Sequence, residues 1–322
     1  MNVIFSMQRD GLTRMGETQG ASLTDVRDPF GPSALDVADP RRDGSWTAGK
    51  GLDQQRVRLL SVGNDLPVAP RILAQVGRRM QEMETDLEDL ADLLKLDAGI
   101  TAAVLRVANT AAYNPHEAFL RLEEALARLG FAKVYRLMGI VALRQVSERD
   151  LPFYGITGAQ FRQNALLTAL VAELLSQTAG ACPQGAYTLG LLRSIGKLAL
   201  DRMTHRAGLL WEGPVDAAAE KSLFGMESCE ASAMLLEAWG FPAETVRGMR
   251  QVAEGEPAER LAEVLQLAAG LAERAGCGLP GEDFQWALEP GKLEFLGLTG
   301  PAVEDVVKRA SKQFLGVRGA IL

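Results

Sequence analysis

The chain has 322 residues, 47% of them hydrophobic and 23% charged, enough for one large domain or two ordinary ones with full cores. A net charge of −7 argues against a general nucleic-acid binder, which carries a basic excess. Three scattered cysteines, Cys182, Cys229 and Cys277, give neither a disulfide framework nor a zinc signature. They read as buried small hydrophobes in a reducing compartment.

Residues 1–57 are rich in Gly, Pro, Asp, Arg and Ser and lack a sustained period, so they are expected to form a low-structure tail. Met7 and Met15 are alternative starts, and Val3-Ile4-Phe5 is a short apolar segment suited to dock on a partner or on the domain itself. No run of about 18 apolar residues and no signal-peptide pattern is present, so a cytoplasmic protein is expected.

From Arg58 onward the pattern is helical. Leu87, Leu90, Ala91 and Leu94 follow the i, i+3, i+4, i+7 spacing, with Thr85 and Glu88 placed as a capping box. Ile100, Ala103, Val104 and Val107 repeat the spacing. Further helices are predicted over 121–147, 160–178, 186–203, 227–239, 243–253, 257–275 and 301–314. Gly240 fits a helix end, and Pro242 and Pro301 fit helix starts. Strand signals are nearly absent, so the fold class is all-α.

Little in the residues themselves signals an active site. Gly190 to Lys197 is one residue too long for a phosphate loop, and Leu198 stands where a magnesium-binding hydroxyl belongs. The only histidines, His116 and His205, read as solvated loop and helix-end residues. Glu123-Glu124 and Asp86-Glu88-Asp89 read as solvated helix faces. No G-x-S-x-G elbow is present.

Several segments nevertheless occur in a specific order. These are Leu66-Pro67-Val68-Ala69-Pro70, Leu96-Asp97-Ala98-Gly99-Ile100-Thr101, Leu105-Arg106-Val107-Ala108-Asn109-Thr110-Ala111-Ala112-Tyr113 and the closing Leu296-Gly297-Leu298-Thr299. Over residues 58–318 the chain closely resembles the HDOD domain, an all-helical bacterial signalling module related to the HD phosphohydrolases. The resemblance implies an HD-like helical bundle with an N-terminal helical subdomain, 58–150, and an HD-like subdomain, 151–318. The joint falls at Glu148–Pro152, and a groove between the subdomains is the natural binding region.

HD enzymes carry a metal-binding His-Asp pair within G-L-L-H-D-I-G-K. The resemblance aligns Gly190-Leu191-Leu192 and Ile195-Gly196-Lys197 with that segment and puts Arg193-Ser194 in place of the pair. The other metal histidines fall on Gln163, Ser228 and the pair Val252-Ala253. Arginine is a permanent cation with no lone pair to offer, so no metal, cofactor or catalytic residue is expected. Arg193 then either pairs with a carboxylate, or joins Gln163 and Lys197 in an anion or nucleotide site. Ser194 and Ser228 complete the vestigial pocket.

The resemblance thus implies a non-catalytic regulatory module acting on signalling proteins, with no membrane and no nucleic acid among its partners. The alternative is a metal-dependent phosphohydrolase or cyclic-nucleotide phosphodiesterase with unrecognised ligands.

Overall fold

A computed structural model of the chain describes residues 52–67, 69–80, 87–95, 98–110, 118–207, 215–254, 259–282 and 290–321. Residues 1–51, Thr85, Asp86, Asp97 and His116 lie outside these, and with them all of the expected tail before residue 52, both alternative starts and the Thr85 capping box. Fifteen α-helices are present among the described residues: α1 (Leu52–Asn64), α2 (Ala69–Arg79), α3 (Leu87–Lys95), α4 (Ala98–Ala108), α5 (Leu122–Leu129), α6 (Phe131–Val146), α7 (Gly158–Ala179) and α8 (Pro183–Leu192). They continue as α9 (Ile195–Ala207), α10 (Ala217–Phe224), α11 (Ser228–Ala238), α12 (Ala243–Glu254), α13 (Arg260–Ala272), α14 (Pro290–Leu296) and α15 (Gly300–Ile321). The class is all-α as expected; among the described residues the only β feature is an isolated bridge between Leu151 and Ile156. No described helix is long and apolar enough to cross a membrane.

The boundaries differ from the periodicity in instructive ways. Residues 52–57, assigned by composition to the tail, begin α1. Asp53 suits its first turn, and buried Leu59 and Val62 hold it against α9 and α11. Gly130, at φ 75°, divides the predicted helix 121–147 into α5 and α6. Thr157 and Gln160 form a capping box that starts α7 at Gly158 rather than at 160. The helix predicted over 257–275 is shorter, and a π turn with Gly276 at φ 81° ends it.

The predicted helix 186–203 breaks into α8 and α9 at Arg193-Ser194. Both residues are acceptable in helices; the break comes from a distant side chain. The Ser232 hydroxyl of α11 donates to the Arg193 carbonyl at 2.6 Å, with the Ser228 carbonyl at 2.9 Å, and accepts from the Gly196 amide at 2.9 Å. A hydroxyl inserted into the i→i−4 ladder bends a helix at that point. Gly196 permits the approach, since a Cβ there would meet the Ser228 carbonyl oxygen at 2.0 Å.

α2 to α6 pack on one another, and α7 to α13 form the second group, joined by α1. α7 lies at the centre, touching α6, α8, α13 and α15, and it is buried on nearly every face. The groups meet where α6 packs on α7 and α8. There the Tyr135 and Thr188 hydroxyls share a 2.6 Å hydrogen bond, and the Tyr187 hydroxyl donates to the Arg136 carbonyl at 3.0 Å. The three cysteines form no disulfide, and only Cys229 is fully buried; Cys182 and Cys277 are half-buried, against expectation. Cys182 owes its exposure to its place before α8, where its sulfur accepts from the Gly185 amide.

Removing the Ser232 hydroxyl strands a buried carbonyl and a buried amide. Ser232→Ala is expected to lower the unfolding free energy by about 1–3 kcal/mol, read by urea denaturation. A loss within error of zero would show that the break at Arg193 does not depend on this contact.

Candidate functional site

The break at Arg193-Ser194 turns two cations inward, Arg193 at the end of α8 and Lys197 in the first turn of α9. Both are 3% exposed. Buried cations require partners. Arg193 Nη2 donates to Glu282 Oε2 at 2.8 Å and to Asn164 Oδ1 at 2.8 Å. Lys197 Nζ donates to Glu220 Oε1 at 3.0 Å and lies 3.7 Å from Glu282 Oε1. Glu220 and Glu282 are themselves 1% and 4% exposed, so four formal charges sum to zero inside the core.

Each carboxylate also ties down backbone. Glu220 Oε2, from α10, accepts from the Ser228 amide at 2.6 Å and so caps the first turn of α11. Glu282 ends a turn that follows the π segment, and Asn164 Nδ2 grips the same region by donating to the Cys277 carbonyl at 2.6 Å. Tyr154 places its ring under Lys197, 4.7 Å from Nζ to the centroid. Burial, then the nearby Glu220 carboxylate, hold the Tyr154 phenol well above its ordinary range. Burial, then Glu282, push the Cys229 thiol up to about 12.

Tyr154 belongs to a 3₁₀ turn, Pro152–Tyr154, at the expected joint between subdomains. Asp201 of α9 holds that turn, its Oδ1 accepting from the Phe153 amide at 2.9 Å. Burial raises the Asp201 carboxyl to about 6 despite that bond and the opposing charges of His205 and Arg202.

Of the residues singled out in the sequence, Arg193 and Lys197 meet at Glu282, and Lys197 and Ser228 meet at Glu220. Ser194 is buried beside them, its hydroxyl without a hydrogen-bond partner among the described residues. Gln163 is half-buried, and the next residue, Asn164, is the one that faces Arg193. Successive helical residues point about 100° apart, so a one-residue offset changes which side chain enters the site. Val252 and Ala253 pack against Cys229 and Ala269. His205 is exposed in the last turn of α9, as expected. Glu220, Glu282, Asn164, Ser232 and Asp201 were not singled out. Only Glu220 leaves a local trace, a lone acid after three alanines.

The family model for the HDOD domain matches residues 66–254 of this chain. The chain belongs to the HDOD family. No curated protein matches it. Among solved structures, an HDOD domain protein of unknown function from Geobacter sulfurreducens is 18% identical, with a TM-score of 0.60 over 82% of this chain and 97% of that one. A Shewanella amazonensis protein provisionally named a phosphohydrolase is 22% identical, with a TM-score of 0.58 over 82% and 98%. A Marinobacter aquaeolei protein provisionally named a signal transduction protein is 20% identical, with a TM-score of 0.61 over 83% of this chain and 65% of that one. At these identities the likeness is one of HDOD fold.

HD enzymes imply a metal, and the charge cluster is a poor fit for one. Its two carboxylates are each engaged by a buried cation, and a divalent ion would have to displace Arg193 and Lys197 while adding its own charge. No group of three or more His, Cys, Asp or Glu able to hold a metal occurs among the described residues.

Breaking one member of a buried ion pair strands its partner, whereas removing both leaves a merely imperfect core. Glu282→Gln and Arg193→Met are each expected to cost about 3–5 kcal/mol. The double variant should cost clearly less than their sum, as measured by a denaturation cycle; strict additivity would contradict the pairing.

Asp201 gives a pH signature. Its folded pKa lies above the unfolded value, so the ionised carboxyl disfavours the fold above about pH 6 and this penalty fades as pH falls toward 4. Asp201→Asn should therefore be more stable than the native chain at pH 7.5, by roughly 1–2 kcal/mol, with the advantage shrinking by pH 5. An advantage that does not change with pH would contradict the shifted carboxyl.

Proposed function

We propose that this HDOD protein is a non-catalytic regulatory module that acts through protein–protein contacts with signalling proteins. The observation that carries this reading is the neutral, solvent-excluded cluster of Arg193, Lys197, Glu220 and Glu282. The helix segment Gly190–Lys197 is the one that resembles the HD metal motif, and its inward charges are both cationic. Hydrolysis by an HD enzyme draws its nucleophile from a metal-activated water. A core whose acids already neutralise two internal cations is built to hold helices together.

The reading assigns the polypeptide's value to its surface and to the relation between its subdomains. Family membership is consistent with a signalling role, and the provisional names of the relatives cover both signal transduction and phosphohydrolase activity. The partners fitting this reading are proteins, with neither membrane nor nucleic acid engaged.

The test has two arms on the full-length chain. Incubation with manganese, iron or zinc and a panel of phosphodiesters, cyclic nucleotides included, should give no turnover above the metal-only background. Affinity capture should return a reproducible signalling protein, confirmed by binding of the two purified proteins. Metal-dependent turnover abolished by Glu220→Gln, with no partner recovered, would replace this reading with the phosphohydrolase one.

A further inference from the structure

Where the two helix groups meet, α6, α7, α8 and α15 leave a cleft of about 160 Å³. Ile140, Leu166, Leu170 and Val317 give it apolar walls, and Lys133 and Arg136 stand one turn apart on α6 beside them. The Tyr187 ring closes one side and is fixed there by its hydroxyl bond to the Arg136 carbonyl. Neither cation belongs to the cluster around Arg193.

The charges on the wall do not cancel. Arg136 donates from Nε and Nη2 to the same oxygen of buried Glu173, at 2.9 and 2.7 Å, which accounts for one cation. Lys133 is exposed and forms no ion pair among the described residues. Two cations against one carboxylate leave one positive charge over an apolar floor. Gln313 adds a polar amide on the facing helix α15, and its oxygen has no hydrogen-bond donor among the described residues. A turn of that amide would present its NH₂ group to an anion.

Size and charge together select a ligand class. Typical sites for drug-sized ligands occupy about 300–1,000 Å³, so this cleft is too small for a nucleotide or a folded peptide segment. The excess positive charge disfavours a cation, and the aliphatic walls give an inorganic anion nothing to bury. A molecule with one negative charge and a short aliphatic chain satisfies both parts. We propose that the cleft binds a short-chain monoanionic amphiphile, such as a medium-chain carboxylate, with its head on Lys133 and Arg136 and its chain among Ile140, Leu166, Leu170 and Val317. Because α6 belongs to the first helix group and α7 and α8 to the second, with α15 packed on α7, the ligand bridges the two groups.

The test is calorimetric titration of the full-length chain with octanoate, beside octyltrimethylammonium and inorganic phosphate. Saturable one-to-one binding of octanoate alone is expected. Lys133→Glu, at an exposed position that does not support the core, should weaken it at least tenfold, and Leu170→Trp should fill the cleft and abolish it, with circular dichroism confirming the fold of each variant. If Leu170→Trp does not fold, the Lys133→Glu result decides. Absence of saturable octanoate binding, a loss under tenfold in Lys133→Glu, or equal binding of the ammonium probe would overturn the proposal.

Discussion

The structure turns on a constraint that few cores accept: four ionised side chains, Arg193, Lys197, Glu220 and Glu282, sealed from water and balanced charge for charge. Desolvating such groups is costly, and apolar side chains of similar volume often serve stability better. What the cluster supplies is a unique arrangement. Glu220 fixes the start of α11, Glu282 fixes the turn before α14, and both reach the same short break between α8 and α9. Any slip of one helix would leave a charge stranded.

That constraint spreads outward through backbone contacts. Ser232 interrupts the helix at Arg193 and so aims the guanidinium inward. Tyr154 covers Lys197 and belongs to the turn between α6 and α7, and the Asp201 carboxylate holds the same turn by accepting from the Phe153 amide. The junction between the two helix groups is thus linked physically to the charged centre. It is also where α6 meets α7 and α8 through paired tyrosines and a cleft of unbalanced charge. The HDOD fold here has a centre organised for cohesion and a seam with chemistry of its own.

Much of the helical layout is legible in the sequence, because amphipathic spacing and caps are local. Gly240 and Pro242 mark the gap between α11 and α12, and Pro301 lies in the first turn of α15. The break at Arg193 is not legible, since its cause is a hydroxyl 39 residues away. Glu282 pairs with Arg193 across 89 residues, and no local pattern announces it. Gln163 and Asn164 show how fine the margin is: the motif points at the correct turn of α7, but a helix presents one of two neighbours to its core, and here it is Asn164. The start of α1 was hidden for a related reason, as its first turns are polar and are held by Leu59 and Val62 further along.

We propose that paired side chains stand at the heart of this bundle in the place that the resemblance to HD enzymes gives to an ion. The most direct measurement is anomalous diffraction from crystals of the full-length chain grown with manganese. The account predicts no anomalous peak between α8, α9 and α10, with Arg193 and Lys197 bonded to Glu282 and Glu220. A stoichiometric manganese ion coordinated by Glu220 and Glu282, with both cations swung away, would contradict it.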